Sequence, residues 1–405
     1  MVKLITPQKD RIQFLDALRG IAILGILVAN IYYFSGLFFM DPAEQYPWAA
    51  SSWDMPFDFV LYTLVDGKFY SIFSLLFGIG CAMQYHSLQK LDHPFIPFFT
   101  RRMFWLFVIG MCHLTFIWLG DILTLYAVLG FVAMHFVHTS DKNLLKYAII
   151  LLLLPLVNDF VINHIGWNYP KYFFKMNHAV ASYFDIPIRE FGEVKTTNMN
   201  LYLKNEDWAV FFKTNLSNVF IRMGHLLEDG RLFKVLGIFL IGLWSGRAIV
   251  HNNLLTNTKL LRKVAVLGIT IGLPICFLRT YIEFFGYELP YASTLKTLTY
   301  ALGTVPLALG YAAVLALLHQ KKATLFRWFE PVGKMALTNY ILQSFLAIGF
   351  FYGIGLGFAG KFGAIPIFGS ALLIYTLQII GSNLWLQRFK QGPFEGLWRK
   401  LTYKK

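Results

Sequence analysis

The chain has 405 residues, 57% of them hydrophobic and only 14% charged, with a formal net charge of +14. A soluble domain carries about 25% charged residues, so this composition excludes a water-soluble globule and indicates an all-α polytopic membrane protein. The bases sit in alternate short loops rather than in one patch, which is the positive-inside pattern and excludes nucleic acid as the partner.

Apolar runs near the ~20 residues that a bilayer requires recur about ten times. The first covers residues 15–37, behind a polar lead with Lys3, Lys9 and Arg11. That lead places the N-terminus in the cytoplasm and does not resemble a cleaved signal peptide. The run carries Asp16, Arg19 and Asn30. At about 100° per residue, Arg19 and Asn30 share one helix face about three turns apart, with Asp16 close to it. An ionisable group at mid-depth costs about 2.5–3.5 kcal/mol, so the stripe reads as facing a protein interior or cavity. The bland alternative for Asp16 and Arg19 is a headgroup-level cap and orientation signal; Asn30 lies too deep for that.

An acidic, base-free loop with Asp41, Glu44 and Asp54 belongs outside. The second span holds Asp66, Lys68, Ser71 and Ser74 and is followed by Lys90, Arg101 and Arg102, inside. Lys68 reads either as a cavity residue or as snorkelling to the outer interface. The third span has Arg102 at its inner end and His113 about three turns on, sharing a face. It ends at Gly120, and Asp121 opens the fourth as an N-cap or as an orienting partner for the imidazole. His113 is the one histidine well inside an apolar span, and histidine is the side chain suited to proton transfer near neutral pH.

The fifth span ends near Ile162. Residues 163–230 form a long polar stretch of mixed charge, expected outside, with an amphipathic helix lying on the membrane over 208–227. Five further spans are expected at 232–250, 264–285, up to 318, 332–351 and 365–386. The basic tail, with Arg388, Lys390, Arg399, Lys400, Lys404 and Lys405, puts the C-terminus in the cytoplasm as well. The organisation is one transmembrane domain over 1–405: five helices in 15–162, the extracytoplasmic segment 163–230, five helices in 231–386 and the tail 387–405.

Arg279 and Glu283, four apart, predict an ion pair. Asn339 and Gln343 share a face of the ninth span, as cavity lining or as interhelical hydrogen bonding. His225, Glu228 and Asp229 have no specific metal-ligand spacing, and no metal is expected. Cys81, Cys112 and Cys276 lie in apolar runs as packing residues, with no disulfide framework. Gly78-x-Gly80 reads as helix packing. The sequence contains no P-loop, dinucleotide fingerprint or nucleophile elbow, and no internal repeat of the kind that builds many transporters.

LDALRGIAILGILVANI, then KFYSIFSLLFGIG, then Gly110-Met111-Cys112-His113 with Trp118-Leu119-Gly120-Asp121-Ile122-Leu123, resemble the YeiB family of bacterial membrane proteins. GKMALTNYILQS (333–344) and GPFEGLWRKLTY (392–403) extend the resemblance over nearly the whole chain. The first helix also resembles a wider superfamily of transmembrane acyltransferases, the acyltransferase-3 and heparan glucosaminide acetyltransferase types. These have about ten core helices and carry acyl groups from cytoplasmic acyl-CoA to acceptors across the membrane. Arg19 matches the Arg of the acyltransferase-3 pattern, but Asn30 stands where that type has His. Asn stands there in the heparan type too, which places a His in the next outer loop, and this chain has none between Asn30 and Asp66.

The expectation is therefore an acyltransferase-like enzyme of the bacterial cell membrane. His113 acts as base, steered by Asp121. Asn30 and Lys68 face the thioester oxyanion, and Arg19 and Arg102 hold the phosphates of acyl-CoA, a co-substrate rather than a resident cofactor. Asp16, Asp66, Ser71, Asn339 and Gln343 line the polar cavity. The expected partners are membrane lipids, acyl-CoA and an extracytoplasmic hydroxyl or amine acceptor. The alternatives are a transporter using the same buried groups, and a non-catalytic scaffold or sensor. The oligomeric state is not legible in the sequence.

Overall fold

The computed structural model describes residues 12–38, 51–191, 194–286 and 288–403. Lys3, Lys9, Arg11, Asp41, Glu44, Glu193, Lys404 and Lys405 lie outside them. The first half contains α1 (Gln13–Phe34), α2 (Asp54–Leu64), α3 (Lys68–Gln89), α4 (Phe95–Phe116), α5 (Leu123–Ala133) and α6 (Asp141–Asn163). After it come α7 (Lys171–Tyr183), the hairpin β1 (Ile188–Phe191) and β2 (Val194–Thr197), α8 (Met199–Lys204) and α9 (Trp208–Glu228). The second half contains α10 (Arg231–Asn252), α11 (Thr258–Phe285), α12 (Ala292–Thr299), α13 (Val305–Lys321), α14 (Glu330–Lys334), α15 (Ala336–Phe351), α16 (Ala364–Arg388) and α17 (Pro393–Thr402).

Among the described residues, eight helical stretches are long and apolar enough to cross a bilayer, α2 with α3 and α12 with α13 each counting once. The shorter apolar helices α5 and α15 occupy the two remaining places among the ten expected spans. The protein is an all-α polytopic membrane protein. Ile188 faces Thr197 in the antiparallel hairpin, which holds the only strands among the described residues.

Small residues set the close approaches. α3 and α10 run parallel in tight contact, because a Cβ on Gly78 would strike the Phe239 carbonyl oxygen and one on Gly242 the Leu75 carbonyl oxygen. Gly78 is thus a packing glycine, as its sequence setting indicates. α9 forms where the helical spacing places it, but its buried face mixes polar groups with Phe211, Ile221 and Leu226. Thr214, Asn215, Ser217 and Asn218 are fully buried against the bundle, while Phe212 and Leu216 are exposed. Hydrogen bonds, such as Asn215 Nδ2 to the Ile117 carbonyl at 3.3 Å, dock it. It is not a helix resting on a surface by an apolar face.

Candidate functional site

The end of the bundle that carries Gln13 of α1 is called the near end, and the end that carries Phe34 the far end. Among the described residues, three of the polar groups between them bear on the site.

The central group forms where α4, the start of α5 and α15 meet. A Cβ on Gly110 would come within 2.5 Å of the Thr124 amide nitrogen and 2.7 Å of its Oγ1, so glycine lets the first turn of α5 close onto α4 one turn before His113. Asp121 accepts the amides of Leu123 (3.2 Å) and Thr124 (2.8 Å), fixing that turn. The same carboxylate lies 3.0 Å from His113 Nδ1. As an acceptor only, it assigns the ring proton to Nδ1. His113 Nε2 then accepts from Ser344 Oγ at 2.9 Å.

All three residues are sealed: His113 and Ser344 are 1% exposed and Asp121 2%. Tyr340, one turn before Ser344, flanks the imidazole with ring centroids 5.2 Å apart and donates to the Gly120 carbonyl at 3.3 Å. Arg222 of α9 donates twice to the Asp121 carbonyl, at 3.0 and 2.6 Å. Thr124 Oγ1 is buried with no hydrogen-bond partner. Asp–His–Ser in this order of contacts is the arrangement of acyl-transfer centres, recognised by geometry rather than by sequence position.

The near-end group is basic. Arg19 pairs with Asp16 at 2.9 Å. The Arg102 guanidinium stacks 3.7 Å over the Trp398 ring, whose indole donates to the Arg102 carbonyl at 2.8 Å. Arg19 and Arg399 both act on Arg102 electrostatically. From Arg102 to His113 is about 16 Å along α4. Asn30 is half-buried on α1, one turn before Tyr33.

The far-end group is a basin built on two matching corners, Asp66-Gly67-Lys68 and Asp229-Gly230-Arg231. Gly67 (φ 78°) and Gly230 (φ 59°) are left-handed N-caps of α3 and α10, a conformation that costs glycine little. Arg279 Nη2 bonds Asp66 and the Tyr62 hydroxyl, both at 2.9 Å. Arg231 bonds Asp229 at 2.7 Å. Lys234 Nζ lies 4.3 Å over the ring of Tyr300, the first residue of a π-turn over Tyr300–Thr304. Such turns recur at functional sites.

Several expected placements are corrected. Arg279 pairs with Asp66 rather than Glu283, because the α2–α3 corner brings a carboxylate to it, and Glu283 pairs with Lys296 at 3.3 Å. Lys68 does not snorkel. It is wholly buried and donates to the Tyr62 carbonyl at 3.1 Å, beside Asp66 and Arg279, so it belongs to the far basin rather than to the His113 group. Ser71 bonds back to the Gly67 carbonyl at 2.6 Å. Asn339 and Gln343 face α16, bonding Ser382 at 3.0 Å and Gln378 at 2.9 Å in a buried interhelical seam. Among the described residues no three His, Cys, Asp or Glu groups are placed to hold a metal.

Residues 245–405 match a family model described as a protein of unknown function (DUF418). The chain is 28% identical over 417 residues to uncharacterized protein YxaH of Bacillus subtilis (strain 168), covering 98% of this chain and 96% of that one. It is 27% identical over 430 residues to uncharacterized protein YeiB of Escherichia coli (strain K12), covering 96% and 95%. The chain is thus similar over nearly its whole length to these uncharacterized proteins, YeiB among them.

Two of the sequence stretches that carried this resemblance dock on each other. Glu395 of α17 accepts the amides of Leu337 (2.7 Å) and Thr338 (3.1 Å) and the Thr338 hydroxyl (2.5 Å), satisfying the first turn of α15. That contact helps position the helix bearing Ser344. Sequence reasoning missed Ser344 as a partner of His113, since a lone serine 231 positions away gives no local signal. It also missed the basin, although Asp-Gly-base before an apolar run occurs twice and was there to be found.

Proposed function

We propose that the protein is an acyltransferase of the bacterial cell membrane, with both termini in the cytoplasm, that passes an acyl group from cytoplasmic acyl-CoA to an extracytoplasmic hydroxyl or amine. The observation that carries this reading is the Asp121–His113–Ser344 hydrogen-bond chain at 3.0 and 2.9 Å. Ser344 Oγ attacks the thioester carbonyl while its proton passes to His113 Nε2. The C–S bond breaks, and the thiolate leaves with that proton. An acceptor then attacks the seryl ester, its proton passes to His113, and Ser344 leaves re-protonated. The acyl group has moved and nothing has been oxidised or reduced. Asp121 keeps the imidazole oriented throughout and stabilises its charged form. Thr124 Oγ1 is buried against Gly110 without a partner, and on this reading it is the donor to the tetrahedral oxyanion.

A serine midway between the two ends lets donor and acceptor arrive from opposite sides without meeting. Arg19, Arg102 and Arg399 supply the charge-assisted contacts for the phosphates of CoA, and the ~16 Å from Arg102 to His113 along α4 is a reach that an extended pantetheine arm spans. Thiol release from acetyl-CoA or palmitoyl-CoA by purified protein tests the reading. His113→Ala should lower it by at least about 100-fold, and unchanged release in that variant would reject the assignment. The half-open charges of the far basin favour a second reading, transport of an anion. Flux into liposomes with no covalent product would select that one.

A further inference from the structure

The far basin holds more positive charge than its acids neutralise. Lys68, Arg231, Lys234 and Arg279 surround Asp66 and Asp229, and Arg222 acts on the same groups from α9. Arg279 Nη1 is buried without a hydrogen-bond partner, and so is the Tyr70 hydroxyl. Lys234 rests on an aromatic ring rather than against a carboxylate. The basin is also open where the His113 group is closed: the side chains of Asp66, Arg231 and Asp229 are 38, 37 and 41% exposed. Surplus charge and unmet donors at the margin of a bilayer are costly unless a ligand or water completes them. Guanidinium forks with an ammonium suit a phosphate, which has three oxygens to share among them.

We propose that the basin of Arg231, Lys234 and Arg279, walled by Tyr62 and Tyr300, binds a phosphate group carried by the acceptor. Arg222 links the two regions, since it bonds the Asp121 carbonyl on one side and feels Arg231 and Asp229 on the other. A phosphate seated in the basin would therefore hold a neighbouring hydroxyl toward the His113 group. The role as acceptor rests on the acyl-transfer reading; the binding does not. The phosphate source is either a lipid headgroup or a soluble phosphate ester.

Calorimetric titration of purified protein in nanodiscs of neutral lipid tests this with dioctanoyl phosphatidate, glycerol phosphate and, as the uncharged control, dioctanoylglycerol. Binding of the phosphatidate alone identifies a lipid acceptor, and binding of both phosphates a phosphate site indifferent to chains. Either outcome supports the proposal. Lys234→Gln and Arg231→Gln should each weaken binding at least tenfold. Lys234→Arg should restore most of it, which separates lost charge from misfolding, and Lys296→Gln, a surface variant, should bind as the parent does. The proposal is overturned if dioctanoylglycerol binds as tightly as the phosphatidate, if neither phosphate binds, or if the Gln variants bind normally. Because no turnover is read, binding that persists while acyl transfer fails would sink the acyl-transfer reading and leave the basin standing.

Discussion

The His113 group and the far basin are both polar clusters inside an apolar bundle, yet they are built on opposite principles. In the first, the contacts run in series: Asp121 fixes a helix turn and the imidazole, and the imidazole accepts a hydrogen bond from the serine hydroxyl. It is sealed from the surface. In the second, cations outnumber carboxylates, an Arg279 nitrogen has no partner, and the edge is open. In the first, Asp121, His113 and Ser344 are each paired and Thr124 Oγ1 alone is left unmet; buried polar groups are stable when paired, so that chain can wait closed without a ligand. The second is incomplete alone, the physical mark of a binding surface. On the proposed function the pair separates chemistry from recognition, with Arg222 as the shared member.

Breaking the order within the sealed chain should have the largest effect. Asp121→Asn keeps the shape but favours the wrong imidazole tautomer, and acyl transfer should fall about 10³–10⁴-fold with little loss of folded protein. An activity within tenfold of the parent would mean that the chain is only a structural tether. Gly110→Ala comes next. The added methyl meets the Thr124 backbone, so unfolding in detergent should be easier by about 1–3 kcal/mol, and transfer should drop along with it.

Gly67→Ala sharpens the comparison from the other side. A left-handed L-residue costs about 1–2 kcal/mol, and its Cβ would lie 2.8 Å from Thr304 and 3.0 Å from Tyr300. Phosphate binding should weaken while thioester cleavage persists; equal loss of both would show the two regions to be one. The smallest effect concerns Glu395. Burial pushes its carboxyl above the usual range, and the hydrogen bonds from Thr338 and Leu337 only partly offset this. The folded state therefore holds the proton more tightly than the unfolded one, and stability should fall as pH rises from about 4.3, the ordinary Glu value. Glu395→Gln should flatten the dependence of Tm on pH in that range.

Much of this was legible in the sequence because the bilayer imposes its own grammar. Apolar runs located the spans, and Gly120-Asp121 marked the turn that sets His113 beside Asp121. What stayed hidden depends on helices crossing far apart in the chain. Ser344 meets His113 only because α15 lies against α4, and Arg279 finds Asp66 rather than the nearer-in-sequence Glu283 only because α2 ends beside α11. The polar part of the buried face of α9 stayed hidden for a related reason. Periodicity locates a helix but does not say which face is inward when the solvent is lipid.

The central claim is that Ser344 carries the acyl group between the two sides. Mass spectrometry of the peptide containing Ser344, after the purified protein is mixed with acetyl-CoA in the absence of any acceptor, tests it most directly. The account predicts an added acetyl mass on Ser344 that disappears in His113→Ala. Thioester cleavage at the parent rate by Ser344→Ala, with no adduct on Ser344 in the parent, would contradict it.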